Sequence, residues 1–166
     1  MSSETNPPAI RRGDRVTPAE YRSLLASVAW RPLEQDDDEV AAALAATWNV
    51  AARTSDGQLV GLARVLDDGV LYASVWDVIV RPERQRGGIG RALLAAVLEQ
   101  TAGRRLVSLI STTAGDALYR SAGFAETDGR STALFRRAYE PESPASEGSG
   151  LSQVTPPPSS PVTSAG

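Results

Sequence analysis

Tyr21, Leu24, Leu25 and Val28 recur at i, i+3, i+4 and i+7, the spacing that lines one side of a helix with apolar groups. Thr17-Pro18-Ala19-Glu20 leads into them. The threonine can cap, the proline suits the first turn, and the glutamate three residues on completes a capping box. The helix is expected to stop near Trp30, because Pro32 disfavours helical backbone before it. A second helix opens on Asp36-Asp37-Asp38-Glu39, with acids at the positive end of its dipole. It carries Val40, Ala43 and Leu44 and is expected to end near Trp48. Ile89, Leu93 and Val97, with Leu94 and Leu98 beside them, predict a third helix over 89–101. A short helix over 116–122 is closed by Gly123.

Elsewhere the pattern is that of strands. Asp56-Gly57 is a turn, followed by a strand over 58–66; Asp67-Asp68-Gly69 then turns the chain into residues 70–73, so the two runs look like a hairpin. Residues 75–81, ended by Pro82, form the next strand. Residues 105–110 read as an apolar strand of the buried type. Residues 10–16 give a weak first strand, and 124–126 with 132–137 a final pair around Asp128-Gly129. The order β-α-α-β-β-β-α-β-α-β-β predicts an α+β fold of three layers, α/β/α, with helices on the faces of a mixed, mostly antiparallel sheet of six to seven strands. From residue 140 the chain is rich in Pro and Ser, with too few apolar groups to offset the entropy of ordering. The expected organisation is a loose N-terminus over 1–9, one domain over 10–139, and a disordered tail over 140–166.

Composition narrows the chemistry. The 166 residues contain no cysteine and no histidine, and all 17 basic residues are arginine. Thiolate and Schiff-base nucleophiles, a Ser-His-Asp triad and histidine base catalysis are thereby excluded, and no metal site is expected. The net charge is −3, with three of the acids in the tail (Glu140, Glu142 and Glu147), so the domain is near neutral and unlike a nucleic-acid binder. No run approaches the length of a membrane span, and no apolar leader is visible, so the expectation is a cytoplasmic protein with no membrane partner. A homodimer is compatible with the sequence.

The segment richest in chemistry joins the strand at 75–81 to the helix at 89. Gly87, Gly88 and Gly90 let a ligand approach the backbone closely, and the helix that begins there offers free N–H groups to a phosphate. Six arginines against two glutamates between 81 and 105 make the region locally basic. A Walker A loop needs a lysine, which is absent. The dinucleotide pattern G-x-G-x-x-G lacks its third glycine, where Leu93 stands, and lacks an acid about twenty residues on, where Ile110 stands.

Gln85-x-x-Gly88-x-Gly90, following Val80-x-Pro82 and preceding an Ala/Leu-rich helix, resembles the acyl-CoA signature of the GNAT superfamily of N-acetyltransferases. Ala117-Leu-Tyr-Arg-Ser-Ala-Gly-Phe124 resembles that superfamily's second recurring motif, and the likeness extends over about residues 10–138. Departures are Arg84 in place of a frequent aromatic, Arg86 where glycine is common, Gly87 where a basic residue is common, and Thr112 where many relatives carry asparagine. The resemblance implies a sheet splayed at its centre and acetyl-CoA as co-substrate. The main chain of Val78, Ile79 and Val80 would pair with the pantetheine arm. Gln85, Arg86, Gly87, Gly88, Ile89, Gly90 and Arg91 would hold the pyrophosphate. A primary amine, on a small molecule or a peptide, would attack the thioester directly in a ternary complex; the alternative is a non-catalytic acyl-CoA-binding or sensing domain. Tyr119 matches the family's general acid. Asp77 stands either as a proton acceptor acting through water or as an orienting hydrogen-bond partner. Trp30, beside the first helix break, is the candidate for the acceptor pocket. The acidic run 34–39 reads either as an attractor of cationic amines or as a solvated helix start.

Overall fold

The capping box at Thr17 forms. In the computed structural model, which describes residues 6–127, 129 and 132–134, the Thr17 side chain accepts from the Glu20 amide and the Glu20 carboxylate accepts from the Thr17 amide, which starts helix α1 at Pro18–Ser27. Asp36 and Glu39 do the same for α2, Asp37–Ala45. The chain divides between Glu126 and Thr127 into two units. The fold that follows is that of the first.

Five strands form a single sheet in the order of the chain: β1 (Ala9–Arg12), β2 (Trp48–Arg53), β3 (Leu59–Asp67), β4 (Tyr72–Val80) and β5 (Leu106–Leu109). The first four are antiparallel neighbours, and β5 lies parallel to β4. Helix α3 (Ile89–Gln100) crosses from β4 to β5, and α4 (Asp116–Ser121) follows.

Alternation along the strands sends side chains to two cores. Ala51, Leu59, Leu62 and Ile79 pack under Tyr21, Leu24 and Leu25 of α1 and Val40 and Leu44 of α2. Val50, Ala52, Val60, Ala63, Val65, Ala73 and Val75 pack under Ile89, Leu93 and Val97 of α3. Helices on both faces make the three expected layers. Gly61 brings α3 close: a Cβ there would stand 3.1 Å from Ile89 Cγ2, 3.1 Å from Leu93 Cδ1 and 3.3 Å from the Ile79 carbonyl oxygen.

Several expectations are corrected. The sheet has five strands among the described residues, not six to seven. Residues 48–53, where the sequence predicts no strand, form β2. Its Val50, Ala51 and Ala52 are all fully buried, so it shows no polar alternation, and small residues fit where helices cover both faces. Helix α2 stops at Ala45, before Trp48. Residues 70–73 and 75–81 are not two strands but the single strand β4, and the hairpin is β3–β4. The Asp68 carboxylate closes its loop, accepting from the amides of Val70, Leu71 and Tyr72. β1 ends at Arg12 rather than 16 and begins at Ala9, inside the stretch expected to be loose. β5 is half-exposed rather than buried, with Leu106 at 56%. Residues 124–126 and 132–134 are not strands; residues 135–137 and the tail over 140–166 lie outside the described residues.

Asp67 ties the far end of the sheet together. Arg104, in the α3–β5 connection, donates from Nε at 2.6 Å and Nη2 at 2.9 Å to its two carboxylate oxygens, and the Trp48 indole donates at 3.1 Å. These bonds, Arg104's first, hold the Asp67 carboxyl down to about 2, against the opposing effect of burial. A carboxyl held below its unfolded value stabilises the fold fully above the ordinary range near ~4, and that stabilisation is lost as pH falls through 2. Urea unfolding midpoints measured from pH 5 to pH 2 are therefore expected to fall more steeply for the natural protein than for Asp67→Asn.

Candidate active site

After β4 the chain makes a 3₁₀ turn, Pro82–Arg84, and enters α3. Gln85 folds back on the strand, its Nε2 donating to the Val80 carbonyl at 2.9 Å. Arg86 (φ 63°) and Gly88 (φ 84°) are both left-handed. Among the described residues no acceptor meets the N–H groups of residues 86–91, and Ala92 is the first to bond back, to the Gly88 carbonyl at 3.0 Å. The N-cap is Gly88, which has no side chain to cap with. The first turn of α3 thus opens on solvent with its donors unspent and the positive end of its dipole exposed, an anion site by construction. Gly90 draws the neighbouring elements around that turn. A Cβ there would meet Leu118 Cδ2 of α4 at 3.4 Å and Val80 Cγ2 of β4 at 3.8 Å.

The arginines divide by role. Arg81 is structural, donating to the Leu59 carbonyl and to Ser23 Oγ, and Arg104 is bound to Asp67. Arg86 and Arg91 enter no ion pair among the described residues and are left beside the mouth of α3, whereas the Arg84 charge acts on Asp56 in the β2–β3 turn. The six-arginine surplus read from the sequence is therefore only partly available to a phosphate.

β4 supplies the second component. Its parallel ladder with β5 ends at Val75↔Leu109, yet β4 runs on to Val80. Residues 76–80 are thus paired on the β3 side alone. That pairing is interrupted: Leu62 faces Ile79 and Arg64 faces Trp76, so two residues, Asp77 and Val78, oppose Ala63. Asp77 adopts φ 52°, in the left-handed region. This bulge carries the carboxylate to the α1 side, where Oδ2 accepts from Tyr21 Oη at 2.7 Å and from Arg64 Nε at 2.6 Å. The Arg64 guanidinium also sits 5.2 Å from the Tyr21 ring centroid. Burial first, and the Asp77 charge second, raise the Tyr21 phenol well above its ordinary range, so it stays protonated and donates.

Tyr119 stands on α4, next to the Leu118 that meets Gly90. Phe124 packs edge-on against its ring, with centroids 6.2 Å apart and planes at 81°. Gly115 lies under the ring: a Cβ there would be 2.8 Å from Tyr119 Cε2. Burial raises the Tyr119 phenol above its usual value. No hydrogen bond engages its hydroxyl among the described residues.

Two sequence candidates find other surroundings. Trp30, in the α1–α2 connection, is 38% exposed, and none of the hydrogen bonds or ring contacts among the described residues links it to Asp77 or Tyr119. The acidic run is engaged locally. Glu34 pairs with Arg31, Asp36 and Glu39 form the capping box, and Asp37 pairs with Arg22 at 3.0 Å. Tyr21, Arg64 and Gly115 were not singled out as site residues. Arg64 meets Asp77 through the bulged register of β3 and β4, and Tyr21 through the packing of α1 on that sheet; Gly115 has an ordinary backbone (φ −90°), so no turn signal marked it.

A free helix mouth, a strand unpaired on one side and a tyrosine-bearing helix are thus brought together around Gly90. The description "Acetyltransferase (GNAT) domain" belongs to a family model that matches residues 45–126, the stretch holding all three. The chain belongs to the GNAT family of acetyltransferases. Among its relatives, Serotonin N-acetyltransferase 2, chloroplastic, of Oryza sativa is 36% identical over 77 residues, 45% of this chain and 38% of that protein. Histone acetyltransferase TAP1 of Glycine max is 31% identical over 127 residues, 68% of this chain and 53% of that protein. The chain thus spans about half or less of these curated relatives' own length. A solved GNAT family acetyltransferase of Streptococcus pneumoniae superposes with a TM-score of 0.67 at 27% identity, covering 80% of this chain and 98% of that one. The β4–β5 ladder ends with β5 itself, at Val75↔Leu109, and β4 continues alone on that side.

Proposed function

We propose that the chain transfers an acetyl group from acetyl-CoA to a primary amine by direct attack in a ternary complex. The observation that carries this reading is the set of unspent N–H groups over residues 86–91, packed through Gly90 against both β4 and α4. The residues fit the co-substrate. Backbone donors of Arg86, Gly87, Gly88, Ile89, Gly90 and Arg91, with the arginines beside them, suit its diphosphate. Val78, Ile79 and Val80 lie on the stretch that β5 leaves unpaired and suit an extended arm, with the Val80 carbonyl already taken by Gln85. Gln85 acts from behind, pinning the loop to Val80. Acetyl-CoA brings a thioester, an acyl carbon open to an amine without any enzyme nucleophile. A donor from the β4 bulge facing that carbonyl would stabilise developing charge.

Tyr119 holds a proton at Oη for the departing thiol. Its raised phenol keeps that proton through and beyond the ordinary tyrosine range near ~10. Asp77 has both partners on one oxygen, which supports the orienting role over that of a base. The acceptor is open: one relative is named for serotonin and another for histone. Thiol release from acetyl-CoA over arylalkylamines, polyamines, amino acids and a histone-tail peptide tests the reading. Release well above background with one class supports it. Tight CoA binding with background release throughout would favour an acyl-CoA-binding domain.

Gly115 gives a sharper check on Tyr119. Its φ and ψ suit any residue, so alanine there acts chiefly by pushing the ring, with Thr112 Oγ1 at an ordinary 3.4 Å. Tyr119→Phe is expected to cost about 100-fold in kcat, the lower end for a general acid. Gly115→Ala should cost on the order of tenfold or more, and nothing further when added to Tyr119→Phe, because the group it misplaces is already gone. Steady-state kinetics of the natural protein, the two single variants and the double variant decides this.

A further inference from the structure

Asp77 is a non-glycine residue held in left-handed backbone at a strand bulge, and its side chain has two partners from other elements. Left-handed backbone is unfavourable for any residue with a Cβ, and it persists where surrounding contacts over-determine it. Here those contacts are identifiable. Tyr21 is 5% exposed and comes from α1; Arg64 comes from β3, with its side chain 16% exposed and that of Asp77 14% exposed. Both reach the same carboxylate oxygen, and the guanidinium lies against the phenol ring. The two partners therefore brace each other as well as Asp77. The bulge they hold lies just past the last β4–β5 pair, at the start of the stretch that β5 leaves unpaired.

We propose that Tyr21 and Arg64 are positioning residues: through Asp77 they lock the β4 bulge in its left-handed form and so fix the direction of the main-chain groups of Asp77 and Val78 along the open side of the strand. This rests on the acetyl-transfer reading for its consequence, but the lock itself is a property of the free chain. The lock predicts that backbone freedom at residue 77, not its carboxylate, decides the outcome. Glycine accepts φ near +50° without strain, whereas alanine does not. A base would be lost equally in both.

The test has two readouts. Backbone NMR chemical shifts of the unliganded protein report the sign of φ at residue 77. They are expected to stay left-handed in the natural protein and in Asp77→Gly, and to move in Asp77→Ala. Acetyl transfer is expected to fall in both variants, and at least about threefold further in Asp77→Ala than in Asp77→Gly. Tyr21→Phe, which removes one hydroxyl and keeps the ring, should slow transfer with Asp77 present and have no effect when combined with Asp77→Gly. Equal loss in Asp77→Ala and Asp77→Gly, or an unmoved φ in Asp77→Ala, overturns the proposal. If no amine supports transfer in the natural protein, the functional reading fails while the NMR series still decides the lock.

Discussion

Gly88→Val is expected to weaken coenzyme A binding about 30-fold or more, measured by titration calorimetry. The argument is conformational. Gly88 sits at φ 84° and a Cβ there would meet nothing within 4 Å, so crowding is not the issue. A β-branched residue in that region costs roughly 2 kcal/mol, which is more than tenfold in an equilibrium constant. The chain escapes that cost by turning the peptide units that carry the donors at the mouth of α3. Gly57 provides the control. It has φ 90° and the same open surroundings, but lies in the turn between β2 and β3. Gly57→Val should lower thermal stability comparably and leave coenzyme A affinity as it was. Natural affinity in Gly88→Val would remove the helix mouth from the binding site.

The largest loss of stability is expected at Arg53. Its side chain, 9% exposed at the end of β2, pairs with Asp14 and with Glu20 at 2.6 Å. It also donates to the carbonyls of Gly57 at 2.9 Å and Arg15 at 3.0 Å. One guanidinium thus joins the β1–α1 connection, the start of α1 and the β2–β3 turn. Removing it leaves two carboxylates without their cation, a situation that costs about 3–5 kcal/mol when the group is buried. Glu20 is half-exposed, which places Arg53→Ala toward the lower end, near ~3 kcal/mol. Urea unfolding followed by circular dichroism measures it; a loss under about 1 kcal/mol would mean the cluster is merely a surface arrangement. Its Arg53 hydrogen bond is the first cause of Glu20's lowered carboxyl, so the protection weakens as acid protonates that group.

Helix starts were legible because they are written locally. A cap and its reciprocal glutamate lie three residues apart, and the Thr17–Glu20 box formed as spelled, while the acidic start at 36–39 proved to hold a second one. Strands were less so, because their identity depends on what covers them. β2 is buried on both faces and alanine-rich, which from sequence continues a helix. β4 read as two strands because the polar Ser74 breaks its apolar run, whereas its ladder with β3 continues across that position from Asp67↔Ala73 to Arg64↔Trp76. The glycine loop was legible for the same reason as the caps. Gly88 is the left-handed N-cap it needed to be, although Arg86 takes the neighbouring left-handed position without being a glycine. The partners of Asp77 were not legible. Tyr21 lies 56 residues away and served as an apolar face position, and its meeting with Asp77 requires the bulge, a register event.

Gly61 gives the buried sheet a hold over the exposed mouth of α3. The contacts waiting at 3.1 Å belong to Ile89 and Leu93, and Ile89 is the opening residue of α3. One methyl group added at position 61 would press those two side chains aside by a few tenths of an ångström, and through Ile89 the start of the helix. A change in the deepest layer of the molecule would then surface as poorer aim toward a diphosphate, with no residue at the rim altered.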